Sequence, residues 1–174
     1  MKSGAPLTFA ALAGLALAAG CGYHLSGNGD LMPASTKTVA VVFRNGTTRY
    51  DLARMLPADV TREFLTRTRY KVVEDSKQAD VILQGTVANV FPSPTTSDPA
   101  TGRATGALVI VQLNLTLTER ATNKQLWARN GWDFRERYEV STDPQAYFDE
   151  SGPAMQRLSK DVARSVVSTI LEHF

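Results

Sequence analysis

Few side chains in this sequence could do covalent or acid–base chemistry. There is one thiol, Cys21, and there are two imidazoles, His24 and His173, near opposite ends of the 174 residues. One cysteine cannot close an intramolecular disulfide, and one thiol with two distant imidazoles cannot build a structural zinc site. From Cys21 onward the chain contains no G-x-S-x-G, H-E-x-x-H, G-x-x-x-x-G-K, G-x-G-x-x-G or C-x-x-C. The usual nucleophile, metal, phosphate-cradle and redox arrangements are therefore missing, and neither enzymatic turnover nor a cofactor or metal is expected. Glu119, Glu136 and Glu139 offer carboxylates for the paired acid–base work of a glycosidase, but solvated acids along a sheet are the commoner outcome. Lys and Arg number 19 against 17 Asp and Glu, a formal charge of +2. That balance lacks the strongly basic footprint of a nucleic-acid binder.

One set of residue types points to binding. Between Gln125 and Tyr138, the side chains Trp127, Arg129, Arg135 and Arg137 share the parity opposite Leu126, Ala128, Trp132 and Phe134. On a regular strand the first four face away from the apolar set. Guanidiniums give bidentate donors to phosphate, and an indole has an apolar body with a polar edge, so the stripe suits phosphorylated sugars. Asp133 in the same row weakens the field. A solvated sheet face that binds nothing is the alternative and stays open.

The chemistry of Cys21 depends on what precedes it. Residues 1–20 carry one early cation, Lys2, then an apolar run from Leu7 to Ala19 without acids, then small residues. This is the pattern of a cleaved secretory signal, too short for a comfortable membrane span. Ala18-Ala19-Gly20-Cys21 resembles the lipobox of bacterial lipoproteins, although Leu17 stands one place earlier than the commonest pattern. An ordinary signal followed by a spare thiol is the competing reading, and the position of the sole cysteine argues against it. The resemblance implies an acylated Cys21 as the first mature residue, a lipid anchor in the membrane and no spanning helix. Gly22 after the cysteine resembles the outer-membrane sorting pattern, which places the protein on the periplasmic side of the outer membrane.

The elements that must position these residues follow from periodicity. Gly22 to Lys37 is rich in Gly, Ser, Asn and Asp and reads as a coil tether, so residues 21–37 form a lipidated linker and 38–174 a single domain. Thr38 to Phe43 is a β-branched strand ending at an Asn45-Gly46 turn. Leu52, Leu56, Val60 and Phe64 recur every four residues and predict a helix over 51–68, with Pro57 delaying its regular part to about Leu56. Tyr70 to Glu74 and Asp80 to Phe91 are strand-like, Pro92, Pro94 and Pro99 predict a loop over 92–106, and 109–118 alternates cleanly. Thr122-Asn123-Lys124 predicts a hairpin into Gln125 to Tyr138. Asp143-Pro144 is a helix-start pair, and Met155, Leu158, Val162, Val166 and Ile170 give one apolar face to the C-terminal segment. The order predicts an α+β two-layer sandwich, with two helices packed on one face of a mixed four- to five-stranded sheet.

Within that plan, Ala79-Asp80-Val81-Ile82-Leu83-Gln84-Gly85 has a glycine on the core parity of a strand, where it admits close approach of a packed helix or marks a bulge. Cys21-Gly22-Tyr23-His24-Leu25, the strand ending Phe43-Arg44-Asn45, this A-D-x-x-L-x-G segment, and Asp98 to Gly102 before a long alternating strand occur in that order. Together they resemble the LptE-like lipopolysaccharide-assembly lipoprotein family over Cys21 to Phe174. The resemblance implies a non-catalytic lipoprotein that assembles with and plugs the outer-membrane β-barrel lipopolysaccharide translocon. Lipopolysaccharide then becomes a candidate direct ligand of Trp127, Arg129, Arg135 and Arg137. A lipoprotein regulator of a periplasmic enzyme, such as a peptidoglycan synthase, shares the anchor and the A-D-x-x-L-x-G strand, but would be favoured by a longer tether. A periplasmic hydrolase would need a carboxylate pair in a cleft.

Overall fold

The computed structural model describes residues 31–140 and 151–172. Cys21, His24, His173 and the Asp143-Pro144 pair lie outside the described residues. In chain order the elements are β1 (Thr38–Asn45), α1 (Tyr50–Arg67), β2 (Lys71–Val73), a short 3-10 turn (Ser76–Gln78), β3 (Val81–Ser97), β4 (Ala104–Glu119), β5 (Lys124–Glu139) and α2 (Ser151–Leu171). The sheet order is β2-β1-β3-β4-β5. β1 pairs in parallel with both β2 and β3, whereas β3–β4 and β4–β5 are antiparallel. This is an α+β arrangement of two helices on a mixed five-stranded sheet.

The helices form where the four-residue apolar spacing demands. Leu52, Leu56, Val60 and Phe64 of α1 and Met155, Leu158, Val162, Val166 and Ile170 of α2 are all buried. They cover the sheet face carrying Val39, Val81, Leu83, Val87, Val111, Leu113, Leu115 and Leu117, which belong to the same core. Ser159 is fully buried between the helices and its Oγ donates to Asp59 Oδ2 at 2.7 Å, so the one buried hydroxyl of α2 is satisfied. Arg67 of α1 reaches Ser168 Oγ at 2.6 Å. The contact pairs 59/159 and 67/168 advance together, so the helices run in the same direction.

Three sequence expectations change. α1 runs unbroken through Pro57 from Tyr50, rather than starting near Leu56. Pro57 lies about two turns into the helix and removes one backbone bond, a cost near 3 kcal/mol that burial of Leu52, Leu56, Val60 and Phe64 outweighs. The segment expected as a loop over 92–106 is mostly strand: β3 continues through Pro92 and Pro94 to Ser97, and only 98–103 turns. β1 stops pairing with β3 at Val87, so beyond it β3 has a free edge. Proline nitrogens facing outward at that edge forfeit no ladder bond and protect it from pairing with another chain. Finally, Leu31 and Met32 dock on the domain, with Leu31 N–H donating to Ile170 O at 3.0 Å and Met32 buried in the core. The packed domain therefore reaches upstream of the boundary expected at residue 38, because those two apolar side chains close the end of the core.

Gly85 is the fixed point of the A-D-x-x-L-x-G strand, and its neighbour is a ring rather than a helix. A Cβ there would lie 2.3 Å from Cε1 of Phe43, the residue paired with Gly85 on β1. The missing side chain lets the phenyl ring lie across the strand.

Candidate functional site

β5 is not a regular strand, and this decides where its cations go. Arg129 pairs with Leu115 and Trp132 with Leu113, so Asn130 and Gly131 together oppose the single residue Asn114. Gly131 has φ +65° and its N–H donates to Asn114 Oδ1 at 2.8 Å. Two residues facing one make a β-bulge, and the left-handed backbone of Gly131 is one that glycine adopts without strain. A second irregularity at Leu126 separates the Leu117–Trp127 and Thr118–Gln125 pairs. On the other side of β4, Ala88 is the extra residue between the Val87–Leu113 and Asn89–Gln112 pairs. Both neighbours of β4 thus bulge beside Gln112–Asn114, where the local twist increases.

The expected stripe is therefore split. Paired residues share a face, and Trp127 and Arg129 stand opposite buried Leu117 and Leu115 on the helix side of the sheet. Arg135 and Arg137 pair with Ile110 and Leu108 on the uncovered side. Ala128, expected inward with Leu126, Trp132 and Phe134, pairs with Thr116 on the open face and is exposed. The Asn130-Gly131 dipeptide within an apparent strand carries the signal for this change, since glycine inside a strand marks a bulge.

At the helix-side corner the aromatics form a continuous cluster. The rings of Trp127 and Trp132 are 6.3 Å apart at 73°, those of Trp132 and Phe134 are 4.8 Å apart, and the Arg129 guanidinium carbon sits 4.0 Å from the Trp132 ring centroid. Arg129 is already engaged there by a cation–π contact. On the open face, two rows cross the sheet: Phe91–Ile110–Arg135 and Ser93–Leu108–Arg137. Phe91 is 40% exposed. Arg135 NH2 lies 3.4 Å from Asp133 Oδ2, and Asp133 Oδ1 accepts from Gln112 Nε2 at 3.1 Å. These rows place exposed Phe91 and half-buried Ile110 and Leu108 beside two guanidiniums, which fits an amphiphile bearing phosphate.

The carboxylates are not assembled into a reactive pair. Glu136, on the helix side, holds Arg157 Nε of α2 at 2.6 Å. Glu139 pairs across with Gly106 on the open side, and Glu119 accepts from the Thr122 hydroxyl at the far end of β4. The β4 partners of Glu136 and Lys124 are Val109 and Glu119, ten residues apart, which separates Glu119 from Glu136 by roughly 33 Å. Among the described residues no group of three His, Cys, Asp or Glu could hold a metal, and no helix is long and apolar enough to cross a membrane.

Two aspartates are held ionised by the fold. Asp80 Oδ2 accepts from Lys37 N at 2.8 Å, Thr38 N at 3.0 Å and Thr38 Oγ1 at 3.0 Å. These bonds, the Lys37 N–H first, hold its carboxyl below the ordinary aspartate range, with a smaller contribution from the charge on Arg120. Asp98 starts the 98–103 turn by accepting from Ala100 N at 2.7 Å, the main reason its carboxyl is also lowered. Both are turn and strand fasteners.

Comparisons place this architecture among known proteins. The solution NMR structure of the uncharacterized lipoprotein B from Nitrosomonas europaea superposes with a TM-score of 0.56 at 19% identity, covering 82% of this chain and 87% of that one. A crystal structure of a Xanthomonas campestris protein gives 0.50 at 15% identity, covering 83% and 88%. At these identities the likeness concerns the fold. No curated protein sequence matches the chain. The LptE family, described as lipopolysaccharide-assembly, matches residues 36–170. That span runs from the residues anchoring β1 to the last buried turn of α2, and the chain belongs to the LptE lipopolysaccharide-assembly family.

Proposed function

We propose that the protein is a non-catalytic outer-membrane lipoprotein, anchored through acylated Cys21 on the periplasmic side, that assembles with and plugs the β-barrel lipopolysaccharide translocon. Family membership over residues 36–170 carries the reading. The lone thiol behind a small-residue cleavage pattern supports the anchor. Separation of Glu119, Glu136 and Glu139 supports a role without turnover. Arg135 and Arg137, beside Phe91, Ile110 and Leu108 on the open face, are the proposed lipopolysaccharide contact: the guanidiniums meet phosphate and the apolar rows meet acyl chains. Trp127 and Arg129 leave that contact, since the bulge turns them to the other face.

Affinity capture of the detergent-extracted protein tests the assembly. A large β-barrel should accompany it, and depletion should lower folded translocon and surface lipopolysaccharide together. Normal levels of both after depletion would overturn the reading. The anchor is checked by feeding cells labelled palmitate, with label expected on the wild type and absent from Cys21→Ala.

A further inference from the structure

On the open face of the sheet one cation stands apart from Arg135 and Arg137. Arg44 pairs with Thr86, and Thr86 with Asn114, so these three side chains form a row across β1, β3 and β4. The Arg44 guanidinium is exposed and has neither an ion pair nor a hydrogen bond among the described residues. Beside it lies a shallow cavity of about 60 Å³ lined by Val42, Arg44, Gln84, Gly85 and Thr86. An unpaired guanidinium with an amide and a hydroxyl at its side is a set of donors for an anionic oxygen group.

The ground between Arg44 and Arg135 is polar and uncharged up to Asp133. After the row of Arg44 come Asn89–Gln112–Asp133 and then Phe91–Ile110–Arg135. The side chains of Gln84, Thr86 and Asn89 have no hydrogen-bond partner among the described residues. Asn114 has only its Oδ1 engaged, by Gly131 N–H, and Gln112 only its Nε2, by Asp133. These free amide and hydroxyl groups suit a hydroxyl-rich chain, whose own groups both donate and accept. Three strand spacings of about 4.8 Å and four residue steps of about 3.3 Å put Arg44 roughly 20 Å from Arg135. Surface charges are screened within about 10 Å at 0.1 M salt. A phosphate seated at Arg135 therefore gains little from Arg44, and only a ligand that spans the face engages both.

We propose that Arg44 is a second anion contact of the open face: it takes a phosphate carried on a saccharide chain that leaves Arg135 and Arg137 and crosses the amide–hydroxyl band. The inference rests on the lipopolysaccharide contact proposed above and gives that ligand a direction. Its acyl chains lie over Phe91, Ile110 and Leu108, and its sugars run towards β1.

The test titrates the acylated full-length mature protein in detergent with two probes at 20 and 300 mM salt. One is lipopolysaccharide with a phosphorylated core saccharide, and the other is its acylated, phosphorylated disaccharide alone. Arg44→Gln should weaken binding of the long probe about three- to tenfold at low salt, less at high salt, and leave the short probe unchanged. Arg135→Gln should weaken both. Arg44→Lys keeps the charge at this exposed site but not the planar fork, and should bind the long probe more tightly than Arg44→Gln. Unchanged long-probe affinity in Arg44→Gln, or equal loss with both probes, would overturn the second contact and leave the one at Arg135 standing. A loss in Arg44→Lys as large as in Arg44→Gln would overturn it too, by tracing the effect to packing rather than charge. If the wild type binds neither probe, the lipopolysaccharide contact itself falls, and this inference with it.

Discussion

Asp80 ties the starts of two parallel strands together through one carboxylate. Its folded-state pKa is lowered by the Lys37 and Thr38 donors, so the unfolded chain takes up the proton first as the pH falls. The stabilisation it supplies is fully present above the unfolded-state pKa and is lost as the pH drops through the folded one. Asp80→Asn keeps an acceptor oxygen but removes the charge that strengthens the bonds from the Lys37 and Thr38 N–H groups, and should cost about 1–2 kcal/mol at pH 7. Urea melts at pH 7 and at pH 3 check this, and a gap between variant and wild type that failed to narrow at pH 3 would sink it. Gly85 is argued at the same scale. Gly85→Ala forces the Phe43 ring aside and should destabilise by about 1–3 kcal/mol, with much of that loss relieved in the Phe43→Ala background. Additive losses in the double mutant would show that the ring is not the obstacle.

At the scale of elements, irregularities decide what each strand and helix presents. Pro57→Ala returns an N–H to the middle of α1 and should stabilise the protein by about 1–2 kcal/mol, after allowance for the looser unfolded chain. A melting temperature unchanged or lowered would show that the proline is accommodated at no cost. In β5, deletion of Gly131 should remove the bulge, so that either Trp127 and Arg129 or Arg135 and Arg137 must change face. Loss of the Trp127–Trp132 contact would then be visible in near-ultraviolet circular dichroism. The helices, the core parity of β4 and the first strand were legible because their apolar spacing extends over many residues without interruption. The faces of β5 were not, because one extra residue inverts every side chain beyond it.

Across the whole molecule, the sheet separates two chemistries. One face is closed by helices and ends in the Trp127–Arg129–Trp132 corner, and the other is open with Arg135 and Arg137. Arg135→Glu with Arg137→Glu should weaken lipopolysaccharide binding on the order of tenfold at low ionic strength and less at higher salt, because exposed charges are screened within about 10 Å at 0.1 M. Folding stability should change by no more than about 1 kcal/mol, since the Arg135–Asp133 pair is exposed. Arg129→Glu should instead lose about 0.5–1 kcal/mol of stability through its ring contact and leave binding unchanged. Equal binding losses from the two variants, measured by titration at 20 and 300 mM salt, would remove the distinction between the faces.

Local pattern alone determined the elements: the strand at Thr38, the helix faces of Leu52–Phe64 and Met155–Ile170, the alternation of 109–117, and the α+β order. It also gave the small-residue run before the lone cysteine and the family-like order of segments, both properties of neighbouring residues in the chain. Tertiary structure decided what depends on residues distant in sequence. The ring of Phe43 explains Gly85, the end of β1 at Val87 frees the edge that tolerates Pro92 and Pro94, and Asn114 receives the bulged N–H of Gly131. Docking of Leu31 on Ile170 brings Leu31 and Met32 onto the end of the core, ahead of the first strand. Each of these is a pairwise contact across strands or layers, and the free energy of such a contact exists only once both partners have been brought together.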